Sequence, residues 1–139
     1  MRNKSKKIII VILIALVCLG AIFICYNFVG TSNKYIGQWH DEENEISIDI
    51  YSEENTYYIT VTGKCDDDSI YLWEMEAKKS GNKLAYKDAT KYLVTYDSFG
   101  DTVEEEVYTD GKGIFYIKGL HLYWEDDSEQ FGEGVSFLQ

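Results

Sequence analysis

The 139-residue chain has no proline, one arginine, two histidines and three cysteines. Without proline there is no proline-rich stretch, and low-complexity tracts and solenoid-length repeats are missing as well. Cys18 and Cys25 fall inside an apolar N-terminal run, so Cys65 stands alone in the remainder and an internal disulfide there is excluded. Asp66, Asp67 and Asp68 beside it disfavour a reactive thiolate, which leaves a structural thiol or a disulfide to a second chain. His40 and His121 are the only near-neutral proton carriers, and neither has a histidine or cysteine companion at ligand spacing for zinc. The acidic runs Asp66–Asp68 and Glu125-Asp126-Asp127 with Glu129 lack the alternating pattern of a calcium loop. No glycine cluster precedes a helix as a phosphate cradle. No catalytic constellation, metal or cofactor is therefore expected.

One long hydrophobic run is present. Ile8 to Val29 carries no charge over 22 positions, which at about 1.5 Å per residue makes a helix of roughly 33 Å, enough to cross a bilayer core. Arg2, Lys4, Lys6 and Lys7 precede it, and the first acidic residue is Asp41. This bias places residues 1–7 in the cytoplasm, a transmembrane anchor at 8–30, a short linker at 31–34 and a domain at 35–139 outside the cell membrane. The alternative is a signal peptide cleaved near Gly30-Thr31-Ser32, which would release the domain as a secreted protein.

Charge narrows the partners. Residues 31–139 hold nine lysines against all 24 acidic residues, a net charge of −15. Phosphate backbones and anionic head groups would be repelled, so nucleic acid is excluded as a partner, whereas cationic proteins would be steered inward.

Alternation with a period of two runs through this domain and predicts strands with one buried and one wet face. Ile46, Ile48 and Ile50 face away from Ser47, Asp49 and Tyr51; Tyr57, Ile59 and Val61 answer them in a hairpin. Tyr71, Trp73, Met75 and Ala77 oppose Glu74, Glu76 and Lys78. Further segments are predicted at Tyr35 to His40, Lys83 to Lys87, Tyr92 to Tyr96, Val103 to Val107, Ile114 to Lys118, Leu120 to Trp124 and Val135 to Leu138. Turns are expected at Ser80-Gly81-Asn82, at Phe99-Gly100-Asp101 and at Asp110-Gly111-Lys112-Gly113. Such a chain folds as a sandwich or a barrel; sequential hairpins favour an all-β, antiparallel up-and-down barrel of about eight to ten strands, its first and last strands paired to hide their edges.

Gly37-Gln38-Trp39 at the start of the first strand resembles the Gly-x-Trp signature of lipocalin-like (calycin) barrels, and the domain also resembles exported β-barrel proteins of Gram-positive bacteria that open with Tyr-Ile-Gly-x-Trp. The resemblance implies a tryptophan plugging one barrel end and a ligand in the interior. The basic residue that stacks on that tryptophan in lipocalins has only Lys118 as a counterpart here.

Two functional classes follow. The first is a membrane-anchored binding module that captures a small apolar or aromatic ligand with Trp39, Trp73, Met75, Tyr96, Phe115 and Trp124, or a partner at its surface. The second is an acidic cell-surface interaction or inhibitor protein that binds a cationic protein or peptide. Glu74 and Glu76, on one side of a strand, could approach glycosidase carboxylate spacing, but paired carboxylates also belong to any acidic wet face.

Overall fold

A computed structural model describes residues 33–129 and 135–139. The predicted cytoplasmic segment and transmembrane anchor lie outside the described residues. Tyr35–Gln139 form one compact unit. It consists of eight strands: β1 (Gly37–Asp41), β2 (Ile46–Glu53), β3 (Thr56–Asp66), β4 (Ser69–Ser80), β5 (Lys83–Tyr96), β6 (Thr102–Lys118), β7 (His121–Asp126) and β8 (Val135–Leu138). Each pairs antiparallel with the next, and β1 meets β8 through His40 opposite Leu138, so the sheet closes as an up-and-down, barrel-like ring. The Gln139 side chain adds a bond to the Ile36 carbonyl at 3.0 Å across this seam.

The alternation read from the sequence decides which face turns inward. Ile46, Ile48, Ile50, Tyr57, Ile59, Val61, Trp73, Met75 and Ala77 are all buried, and Asp49, Glu74, Glu76 and Lys78 are exposed. A slip of one residue would move every one of these apolar side chains into water, which is what holds the register. The β2–β3 hairpin turns through Glu54 and Asn55, both at positive φ, the geometry that matches the twist of the flanking strands.

The ten predicted segments become eight strands. Lys83–Lys87 and Tyr92–Tyr96 are one strand, β5, bent by a bulge: between the pairs Glu74–Thr90 and Ala77–Tyr86, the three residues Lys87, Asp88 and Ala89 oppose only Met75 and Glu76. Asp88 takes up the extra residue in the left-handed region, at φ 61°. Likewise the expected turn at Asp110–Gly113 does not form, and β6 runs straight through it. Both glycines serve close approach. A Cβ on Gly113 would collide with the Glu125 carbonyl and the Tyr86 hydroxyl, and one on Gly111 would press on Tyr108 and Ala89. Glycine here lets β6 pass the bulged β5, a role that looks like a turn signal in sequence.

β6 outruns its neighbour. β7 pairs only with Gly113–Lys118, and the Asp127 amide adds a bond to the Lys112 carbonyl. From Thr102 to Glu106, and again at Tyr108, the strand is paired with β5 on one side, with register shifts at Val107 and at Thr109–Asp110, and among the described residues no strand pairs with the other side of this stretch.

Candidate functional site

Five of the six predicted interior residues, Trp39, Trp73, Met75, Phe115 and Trp124, are buried. Tyr96 is not one of them: it is 43% exposed, at the far end of the β5–β6 hairpin beyond the ring. The bulge in β5 reverses the facing of the residues after it, so an alternation that looks inward in sequence points elsewhere. The buried rings touch one another. Phe115 stacks on Trp124 at 5.8 Å between centroids, Trp124 meets Trp73 edge-on at 5.5 Å, and Tyr86 leans on Phe115 at 5.7 Å. These aromatic side chains pack against one another inside an eight-stranded ring, a size whose interior either fills with side chains or holds one small ligand.

Two polar pairs are set into that interior. The Tyr86 hydroxyl donates to Asp126 Oδ2 and accepts the Trp124 indole N–H at 2.7 Å. Burial raises the Tyr86 phenol far above its ordinary range, and donation to the Asp126 carboxylate reinforces the shift. Near one mouth, the Lys91 ammonium lies 4.1 Å from the centroid of Tyr71, 4.7 Å from that of Trp73 and 5.9 Å from that of Tyr108. Glu129 Oε1 holds it at 2.6 Å and also accepts from Tyr108 at 3.0 Å and from Trp73 at 3.2 Å. The pair is nearly enclosed, with side chains 12% and 14% exposed. A cation between aromatic faces with a carboxylate on its ammonium satisfies a charge that would be costly to bury alone. Burial and the negative charges of Asp126 and Glu129 push the Tyr108 phenol upward.

Sequence reading missed this cluster. Lys91 stands directly opposite Trp73 in the ladder, so it shares the inward face, a fact hidden until the β5 bulge is known. Glu129 sits in an acidic run whose members look alike as sequence.

A further pair of contacts lies at the start of β1. Tyr35 is buried and donates its hydroxyl to the Asn82 carbonyl, and the Trp39 indole donates to the Tyr35 carbonyl at 3.0 Å. Trp39 is thus buried with its indole N–H satisfied. Lys118, the counterpart sought for the stacking arginine, is exposed and opposite His121.

On the outside, the β5 bulge opens a groove of about 800 Å³ across β2, β3, β4 and β5, lined among others by Tyr51, Tyr58, Glu74, Glu76, Lys87 and Asp88. Tyr51 and Tyr58 stack at 5.1 Å, nearly parallel, and face each other across the β2–β3 pair. Partial desolvation and the charges of Glu76, Glu53 and Glu54 raise the Tyr58 phenol. The lining carries Glu74, Glu76 and Asp88 against Lys78 and Lys87, a small excess of negative charge. The groove therefore offers flat aromatic faces and acidic oxygens in one place, a combination suited to a guanidinium or ammonium.

The remaining candidates stay apart from one another. His40 is exposed and shares a 3.0 Å hydrogen bond with Ser47 Oγ. His121 lies beside Tyr123. Cys65 is an exposed free thiol whose neighbour Tyr71 has its phenol raised by it. Among the described residues no group of three histidine, cysteine or acidic side chains is placed to hold a metal ion. The eight-stranded antiparallel ring is compatible with a barrel-like fold; compared with protein-family models, curated proteins and solved structures, the chain finds no match.

Proposed function

We propose that Tyr35–Gln139 is a non-catalytic recognition domain, held outside the cytoplasm by the 8–30 span, that binds a cationic segment of a protein partner on its outer wall. The observation that carries this reading is the groove beside the β5 bulge, where the stacked Tyr51–Tyr58 pair adjoins Glu74 and Glu76. An arginine of the partner would lay its plane on a tyrosine ring and present its N–H groups to the carboxylates. The net charge of −15 would draw such a partner in before contact. A lipocalin-like capture of an apolar ligand would use the interior instead, where Phe115 stacks on Trp124.

The test is calorimetric titration of the full chain with an arginine-rich peptide at low and high salt. Binding is expected to weaken steeply with salt, and the double variant Glu74→Gln/Glu76→Gln is expected to weaken it by about tenfold, a loss of roughly 1.4 kcal/mol. Salt-insensitive binding, or full affinity in the double variant, would remove the groove from consideration.

A further inference from the structure

We propose that the free edge of β6, from Thr102 to Asp110, is a second recognition surface, and that a cationic extended segment of another protein adds to it as a strand. This edge lies apart from the groove, which is formed by β2, β3, β4 and the first half of β5. β5 pairs with this part of β6 on one side only, and among the described residues no strand covers the other. Thr102 to Glu106 pair with β5 in regular register and present about 17 Å of edge, along which alternate residues turn N–H and C=O groups away from the sheet. An edge that no described strand covers is the template for strand addition.

The side chains specify which strand. Thr102 to Val107 are all exposed, including Val103 at 63% and Val107 at 50%. Between the two valines stand Glu104, Glu105 and Glu106, and because side chains alternate across a sheet, both faces of the edge are negative. A second copy of this chain would fit poorly. Antiparallel pairing centred on Glu105 would set the three glutamates of each copy opposite one another, and like charges directly across a ladder repel. A segment that alternates lysine or arginine with β-branched residues sets basic side chains opposite Glu104 and Glu106 and apolar ones opposite Val103. The glutamates thus select against self-pairing and in favour of a basic strand.

The probe is a nine-residue peptide alternating lysine and valine, added to the full chain and followed by residue-resolved hydrogen–deuterium exchange. Amide exchange over residues 102–110 is expected to slow by about tenfold, whatever protection the groove side also shows. The variant Glu104→Gln/Glu105→Gln/Glu106→Gln, altered only at exposed positions, is expected to weaken binding by about tenfold. Peptide binding without protection at 102–110, or no binding, overturns the proposal. Protection at 102–110 that grows with protein concentration and needs no peptide also overturns it, by assigning the edge to a second copy.

Discussion

Tyr86 carries more of the interior than its place in the sequence suggests. Its ring packs against Phe115, while its hydroxyl joins the Trp124 indole to the Asp126 carboxylate. In the variant Tyr86→Phe the packing survives, but the buried carboxylate loses a donor, an expected loss of about 1–3 kcal/mol at neutral pH by urea unfolding. The raised phenol also predicts a pH dependence. Below pH 10.0, the ordinary phenol value, the group is neutral in both folded and unfolded chains and its contribution is complete. Above that value the unfolded chain releases the proton while the folded chain keeps it, so stability falls as pH rises. Replacing Tyr86 is expected to make this alkaline decline shallower by up to one proton, about 1.4 kcal/mol per pH unit. Unfolding curves across the alkaline range check it, and an identical slope in the variant would refute the buried-phenol account.

At the scale of elements, β5 and β6 decide the form of the molecule. One extra residue at Lys87–Asp88–Ala89 bends β5, opens the outer groove and turns Lys91 inward. β6 accommodates that bend by carrying glycine where Tyr86 and the β7 backbone come closest. The substitution Gly113→Ala is therefore expected to cost about 2–3 kcal/mol, because a methyl group must displace the Glu125 carbonyl or the Tyr86 hydroxyl. Thermal unfolding would register this as a clear drop in Tm. A Tm equal to that of the native chain would show that β6 has room at this point. The same two strands extend past β7, which leaves the acidic edge of β6 uncovered among the described residues.

For the whole molecule, the imbalance of charge outweighs any single pair. A net charge of −15 over residues 31–139 opposes compaction through self-repulsion, and the two ion pairs that Lys64 makes, with Glu45 and Asp67, are surface contacts at 3.7 Å. Exposed pairs of this kind offset little. Added salt shortens the range of the repulsion to about 10 Å at 0.1 M. Tm is consequently expected to rise as sodium chloride increases from about 0.02 to 0.2 M, by a few degrees in calorimetry. A Tm that falls with salt would mean that attractive pairs, such as the enclosed Lys91–Glu129 contact, dominate the electrostatics instead.

The fold class was legible because burial on one face of a strand leaves a period-two trace that each segment carries by itself: Ile46, Ile48 and Ile50, then Tyr57, Ile59 and Val61, point inward as their spacing requires. Most of the apolar interior was legible for the same reason. Strand number and site were not. A glycine that permits close approach and a glycine that makes a turn are the same letter, so Gly111 and Gly113 predict a hairpin where β6 runs on. A single bulged residue reverses the facing of everything after it, which is why Tyr96 looked like interior and Lys91 did not. Local alternation along the chain therefore determines the sheet and most of its buried face. Tertiary structure alone decides where the registers shift, because the shift depends on Tyr86 meeting β6 and on Glu129 meeting Lys91 across 27 and 38 residues of sequence.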